Sequence, residues 1–276
     1  MQAPHSSSAS TATSTSGKAP TSKPERVCVL LRGLIRSRFH WHQFPTELLK
    51  LPLVEQVIMP ELAGNGERCR ETTPATINAM MEDLRQQTRL LFPDNSHPLS
   101  LVAISMGAMI ATEWASQYPE EIAELHLINT SFGRFSAPWQ RMRPRAAARL
   151  LGLTPRLLSD PAALEAGILQ LTVSQPTTPQ LRSQWQSFAR QNPLQTSNIL
   201  TQIKAASRWQ GPAQAPVEHS FIYTADGDRL VSPDCSRQIA AHWHKPLIEH
   251  PHAGHDLPLD DCHWLVQSIE RTMQSW

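Results

Sequence analysis

At 276 residues the chain is long enough for one large α/β domain with a well-buried core. Apolar residues make up 40% and charged residues 18%, an ordinary composition for a soluble globular protein. Lysine plus arginine (25) nearly cancels aspartate plus glutamate (24), so whole-chain charge gives no reason to expect nucleic acid or an anionic membrane as partner.

Residues Met1 to about Pro24 are almost all Ser, Thr, Ala, Pro and Gln. They hold too little apolar surface to offset the entropy of ordering, so residues 1–24 are expected to be a disordered tail. They also lack the apolar block of a signal peptide, and no later stretch reaches the length of a membrane span. The default compartment is therefore the cytoplasm. The four cysteines, Cys28, Cys69, Cys235 and Cys262, form no CxxC pair, which argues against a thiolate zinc site and a disulfide-stapled domain.

Arg26 to Leu31 is a short apolar run ending in Arg32-Gly33, which suits a buried strand entering a tight turn. A second strand is expected over Gln56 to Leu62. Thr76 to Leu91 has helical spacing (Ile77, Met80, Met81, Leu84, Leu90) and stops before Phe92-Pro93. Leu99 to Ile104 reads as a strand, followed by Ser105-Met-Gly107 and a helix to about Gln117. Glu124 to Asn129 is the next strand, completing a βαβ unit. From about 131 to 216 the chain is rich in Pro, Gln, Arg and Leu, with no convincing strand; an inserted helical cap is expected there. Strands resume at Ser220 to Ala225 and Pro246 to Glu249, separated by a helix from Pro233 to Trp243. A last amphipathic helix spans about Asp260 to Met273. The expected fold is α/β over residues 25–276: a mostly parallel sheet with helices on both faces and the inserted cap.

Ala103-Ile-Ser105-Met-Gly107 lies where a strand meets a helix. A serine there sits on a sharp turn that lifts its hydroxyl above the sheet edge, with small residues on either side for clearance. Serine attack needs a base near neutrality and an acid to orient that base. Asp226-Gly-Asp228-Arg-Leu-Val231 follows a strand and supplies the acid, with Asp226 and Asp228 as rivals. Pro251-His-Ala-Gly-His255-Asp-Leu-Pro258 follows the last strand and supplies the base, with His250 and His252 competing against His255. Asp226 suits a turn residue, and Asp256 is expected to help start the final helix.

These pieces, with the strand that runs into Arg32-Gly33-Leu34, resemble the α/β-hydrolase superfamily. The resemblance spans roughly Arg26 to the C-terminus and is weakest in the cap. It implies Ser105 as nucleophile, Asp228 as orienting acid and His255 as base. It also implies an oxyanion hole, formed by the amides of Met106, at a helix N-terminus, and Leu34, after the first strand. The family usually has His-Gly in that loop where this chain has Arg32-Gly33. Arg32 is expected to brace the loop, with pairing to an acidic substrate group as the alternative.

Trp41, within Phe39-His-Trp41-His-Gln-Phe44, and Phe132 and Trp139 at the start of the cap are candidate pocket residues; ordinary packing competes for the Trp41 run. His242, His244, His250, His252, His255 and His263 lack a ligand spacing, so no metal is expected. The implied chemistry requires no cofactor. Arg134, Arg141, Arg143, Arg145 and Arg149 make the cap start basic, which suits a solvated face or a docking face for an anionic carrier or substrate. The expected function is serine hydrolysis of a small-molecule carboxylic ester. The alternatives are a lyase or acyltransferase of the same fold, and a hydrolase of carrier-bound acyl esters.

Overall fold

Six short runs become six strands, each too short for a stable helix, with the central ones buried on both faces. They are β1 (Arg26–Leu31), β2 (Val54–Ile58), β3 (Leu99–Ile104), β4 (Ile122–Ile128), β5 (His219–Ala225) and β6 (Leu247–His250). The computed structural model describes residues 26–93 and 97–276, with the backbone alone for 153–159. The expected tail, 1–24, lies outside the described residues.

All strand pairs are parallel and the sheet order is β2-β1-β3-β4-β5-β6. The expected α/β fold with helices on both faces is the one observed. Every residue of β1 and β3 is buried. Val27, Val29, Leu31, Leu101 and Ala103 pack on one face of the sheet, while Cys28, Leu30, Val102 and Ile104 pack on the other. Burying each Val, Leu or Ile side chain contributes about 1.5–3 kcal/mol. β2 differs from expectation, being an edge strand that starts at Val54 and ends before Met59-Pro60. Proline has no N–H to give to a ladder.

The first face is covered by α2 (Ile77–Leu91), α3 (Met106–Gln117) and α9 (Pro233–Trp243), and the second by α1 (Phe44–Leu48) and α11 (Cys262–Gln274). Thr76 caps α2 by accepting from the Ala79 amide, and Asp261 caps α11 by accepting from Trp264. A one-turn helix, α10 (Leu257–Asp260), precedes α11. Between β4 and β5 lie α4 (Pro138–Arg141), α5 (Pro144–Ser159), α6 (Pro161–Thr172), α7 (Pro179–Gln191) and α8 (Thr196–Arg208), with no strand among the described residues. The sheet thus presents the carboxyl ends of β1, β3, β4, β5 and β6 to this helical insertion. Ligand sites of open α/β sheets gather at such ends.

Candidate active site

Ser105 is the single residue between β3 and α3, and its backbone has φ 60 and ψ −123. A non-glycine residue held there costs on the order of 1–3 kcal/mol and persists only when its surroundings enforce it. They do: the Ser105 amide donates to Ile128 O at 2.9 Å, and its carbonyl accepts from Thr130 Oγ1 at 2.9 Å and from Ala108 N at 3.1 Å. Two residues on, α3 runs hard against the end of β1. A Cβ on Gly107 would lie 2.3 Å from Leu31 O and 2.5 Å from Arg32 O, so no side chain fits there.

The β5 and β6 loops bring the next two residues together. His255 Nδ1 donates to Asp228 Oδ2 at 2.7 Å, with both side chains buried. The other carboxylate oxygen, Oδ1, accepts from the amides of Leu230 (2.8 Å) and Val231 (2.9 Å), which fixes the carboxylate plane. Asp226 lies outside this arrangement, at the surface in an ion pair with Arg237. His250 uses Nδ1 to accept from the amides of His252 and Ala253, shaping the loop, and His252 is exposed. Geometry therefore separates each rival from the paired residues.

Ser105 and His255 line one cavity of about 50 Å³, with Gly33, Leu34, Arg32 and Asp256 in its wall. A second cavity of about 250 Å³ opens from Ser105 past Leu34, Met106 and Met109 toward Pro138, Arg141 and Ile203. The two share Leu34, Ser105, Met142 and Leu230. Both lie below the roughly 300–1,000 Å³ usual for ligand sites. Met106 opens α3, so its amide is one of the first-turn donors without an intrahelical partner. Leu34 follows β1 at the wall of both cavities.

The loop after β1 is tied down at three points. Arg32 forks onto Asp256, Nη1 to Oδ1 at 3.1 Å and Nη2 to Oδ2 at 2.7 Å, and lies over the Trp41 ring. Burial alone would raise the Asp256 carboxyl, but the charge and hydrogen bonds of Arg32 bring it below its ordinary value. Ile35, with φ 54, donates its amide to Gln202 Oε1 of α8 at 2.9 Å. Arg36 Nη1 donates to both oxygens of Glu165 on α6, at 2.7 and 2.8 Å, with Trp185 beneath it. The loop next to Ser105 is thereby fastened to the His255 loop and to two helices of the insertion.

Several expectations need correction. Asp256 occupies the position before α10 but makes no cap hydrogen bond, because its carboxylate is taken by Arg32. Trp41, Phe132 and Trp139 lie outside both cavities. Trp41 packs on Phe44 beneath the sheet, Phe132 packs among Phe135, Trp209 and Trp243, and Trp139 is 67% exposed. In the arginine run Arg134, Arg143, Arg145 and Arg149 are exposed and Arg141 is half-buried. Arg134 donates to Gly211 O, Arg141 to Ala206 O and Ser207 O, and Arg143 to Asp228 O.

Other positioning residues escaped the sequence reading. Asn129, with φ 46, donates from Nδ2 to the carbonyls of Gly254 (3.2 Å) and His255 (2.9 Å) and accepts from Ala225 N, joining three strand ends. A polar residue directly after a strand is a visible signal for it. Asp260 accepts from the Ser174, Gln175 and Gly254 amides, tying the end of α6 to the His255 loop. Among the described residues no group of three or more His, Cys, Asp or Glu could hold a metal, and no helix is long and apolar enough to cross a membrane.

A family model described as alpha/beta hydrolase fold matches residues 27–261. The chain is 29% identical over 138 residues to the biotin biosynthesis bifunctional protein BioHC of Teredinibacter turnerae, which covers 45% of this chain. It spans only 22% of that relative's length. Among solved structures it is similar to a thermophilic esterase from Thermogutta terrifontis, with a TM-score of 0.68, 17% identity and 91% and 90% of the two chains covered. It is also similar to the 2-hydroxy-6-oxo-6-phenylhexa-2,4-dienoate hydrolase of Rhodococcus, with a TM-score of 0.70, 18% identity and 91% of each chain covered. At such identities these two likenesses speak for the fold alone. With the family model matching most of its length, the chain belongs to the alpha/beta hydrolase fold family.

Proposed function

We propose that the protein is a serine hydrolase of carboxylic esters working through an acyl-enzyme. The observation that carries this reading is the 2.7 Å bond from His255 Nδ1 to Asp228 Oδ2, in a residue that shares a cavity with the strained Ser105. Asp228 holds the imidazole with Nδ1 protonated, leaving Nε2 free to accept a proton. Ser105 Oγ attacks the ester carbonyl as His255 takes its proton. The Leu34 and Met106 amides meet the charge that develops on the carbonyl oxygen. His255 then protonates the departing alcohol, and water, activated by the same imidazole, releases the acid. These steps use only groups of this chain and water.

On this reading the cavity sizes favour one allocation of the two halves of the ester. His255 must reach the leaving oxygen, and it lines the smaller cavity, so the alcohol is short. The acyl chain takes the larger cavity, which the helical insertion roofs with Met142 and Ile203. The match to part of BioHC favours a second reading, a carrier-bound acyl ester, with exposed Arg145 and Arg149 meeting the carrier.

Mixing enzyme with excess 4-nitrophenyl acetate tests the first reading. A burst of nitrophenol equal to the enzyme concentration, with acetyl on Ser105 in the quenched protein, is expected. Turnover that survives Ser105→Ala unchanged would overturn it.

A further inference from the structure

Two buried arginines beside Ser105 are charge-paired, while a half-buried one in the wall of the larger cavity is not. Arg32 pairs with Asp256 and Arg36 with Glu165, each as a near-neutral couple. Arg141, at the end of α4, is half-buried in the wall of the larger cavity. Its partners are all uncharged: Ala206 O at 2.6 Å from Nη2, Ser207 O at 3.2 Å from Nη1 and Ser131 Oγ at 3.4 Å from Nε. Among the described residues no carboxylate lies within ion-pair distance of it. Cys235 also acts on it, and burial raises the pKa of that thiol.

A guanidinium taken from water without a counter-charge is costly, and burial pushes Arg141 below its ordinary range. The chain makes room for it all the same. A Cβ on Gly133 would lie 2.8 Å from Arg141 Nη1, so glycine leaves the space that the guanidinium fills. The guanidinium also carries more N–H groups than its three bonds use. The rest of that cavity is chiefly apolar or hydroxylic: Met106, Met109, Ile203 and Val231 with Thr130 and Ser131. A cation held in the wall of the cavity that Ser105 also lines fits an anion arriving with the substrate.

We propose that Arg141 is the specificity-determining residue of the larger cavity, binding a carboxylate at the far end of the acyl chain. The preferred substrates are then short-alcohol monoesters of dicarboxylic acids. This rests on the reading of Ser105 as nucleophile and of the larger cavity as the acyl site. The competing role for Arg141 is purely structural, fastening α4 to the end of α8.

The test compares a length series of monomethyl dicarboxylates with methyl alkanoates of matching chain length, by methanol release. A charge-assisted hydrogen bond is worth roughly 1.5–3 kcal/mol, so the best-fitting anionic ester should exceed its neutral match in kcat/KM by about tenfold or more. Arg141→Met should bring that ratio close to one, chiefly through KM, and Arg141→Lys should restore part of it. A wild-type ratio at or below one at every length overturns the proposal, whether or not the variants fold. So does an Arg141→Met variant that lowers both esters alike, which is the signature of a fastener. No turnover of any monomethyl dicarboxylate by protein whose Ser105 reacts with a fluorophosphonate overturns it too. An unreactive Ser105 in folded protein would instead remove the hydrolase reading beneath it.

Discussion

Arg32 and Asp256 join the two loops that flank Ser105, through a two-pronged ion pair of 3.1 and 2.7 Å between buried side chains. Truncating one partner leaves the other charge buried alone. Arg32→Met should therefore cost roughly 3–5 kcal/mol, read from urea midpoints. Arg32→Lys keeps the charge but not the planar fork, so its loss should be smaller. Combining Arg32→Met with Asp256→Leu should recover much of the single-variant loss. A double variant that is merely additive would show that the pair is not coupled.

Asp228 and Asp226 give a clean contrast. Asp228→Asn keeps an oxygen for the Leu230 and Val231 amides but presents an N–H to His255 Nδ1, which forces the wrong tautomer. A kcat loss on the order of 10⁴ with a nearly unchanged melting temperature is expected. Asp226 pairs with Arg237 at the surface, and Asp226→Asn should leave kcat within about twofold. The reverse ranking would move the acid to Asp226.

Gln202 tests the hold on the loop after β1. It accepts from Ile35 N at 2.9 Å and donates to Asn65 Oδ1 at 2.9 Å, wholly buried. Gln202→Leu strands both partners, at a cost of about 1–3 kcal/mol. Since Ile35 adjoins Leu34, kcat should fall more than KM rises on a short neutral ester. An unchanged kcat would separate α8 from the proposed oxyanion role of Leu34.

The sheet carries a pH signature far from the site. Burial alone would raise Glu124, but His126, the Ser100 hydroxyl and Arg26 bring its pKa from 4.5 down to about 2. A carboxyl depressed by folding contributes stability above its unfolded pKa, and that stability is lost as pH falls through the folded one. Urea midpoints should therefore drop between pH 4.5 and about 2. Glu124→Gln should flatten that limb.

How much of this was legible in the sequence depended on how local the signal is. β1 and β3 read correctly because a parallel strand buried on both faces is a continuous apolar run. β2 read poorly because it is an edge strand with Glu55 exposed, so its pattern breaks where pairing continues. The grouping of Asp228 and His255 beside a cavity lined by Ser105 was legible because each residue sits in a short motif at a strand end. Trp41 follows the loop after β1, and Phe132 and Trp139 open the insertion, but nearness in sequence to a pocket does not fix where a ring packs: Trp41 and Phe132 enter the core and Trp139 the surface. Gln202 and Glu165 gave no signal, for they reach their loop across 167 and 129 residues of chain.

The most direct test of Ser105 as nucleophile is to treat the folded protein with a fluorophosphonate and map the adduct by peptide mass. One phosphonyl group on Ser105, formed slowly or not at all in His255→Ala, is the expected result. Folded wild-type protein left unlabelled at Ser105, or labelled at another serine, would contradict it.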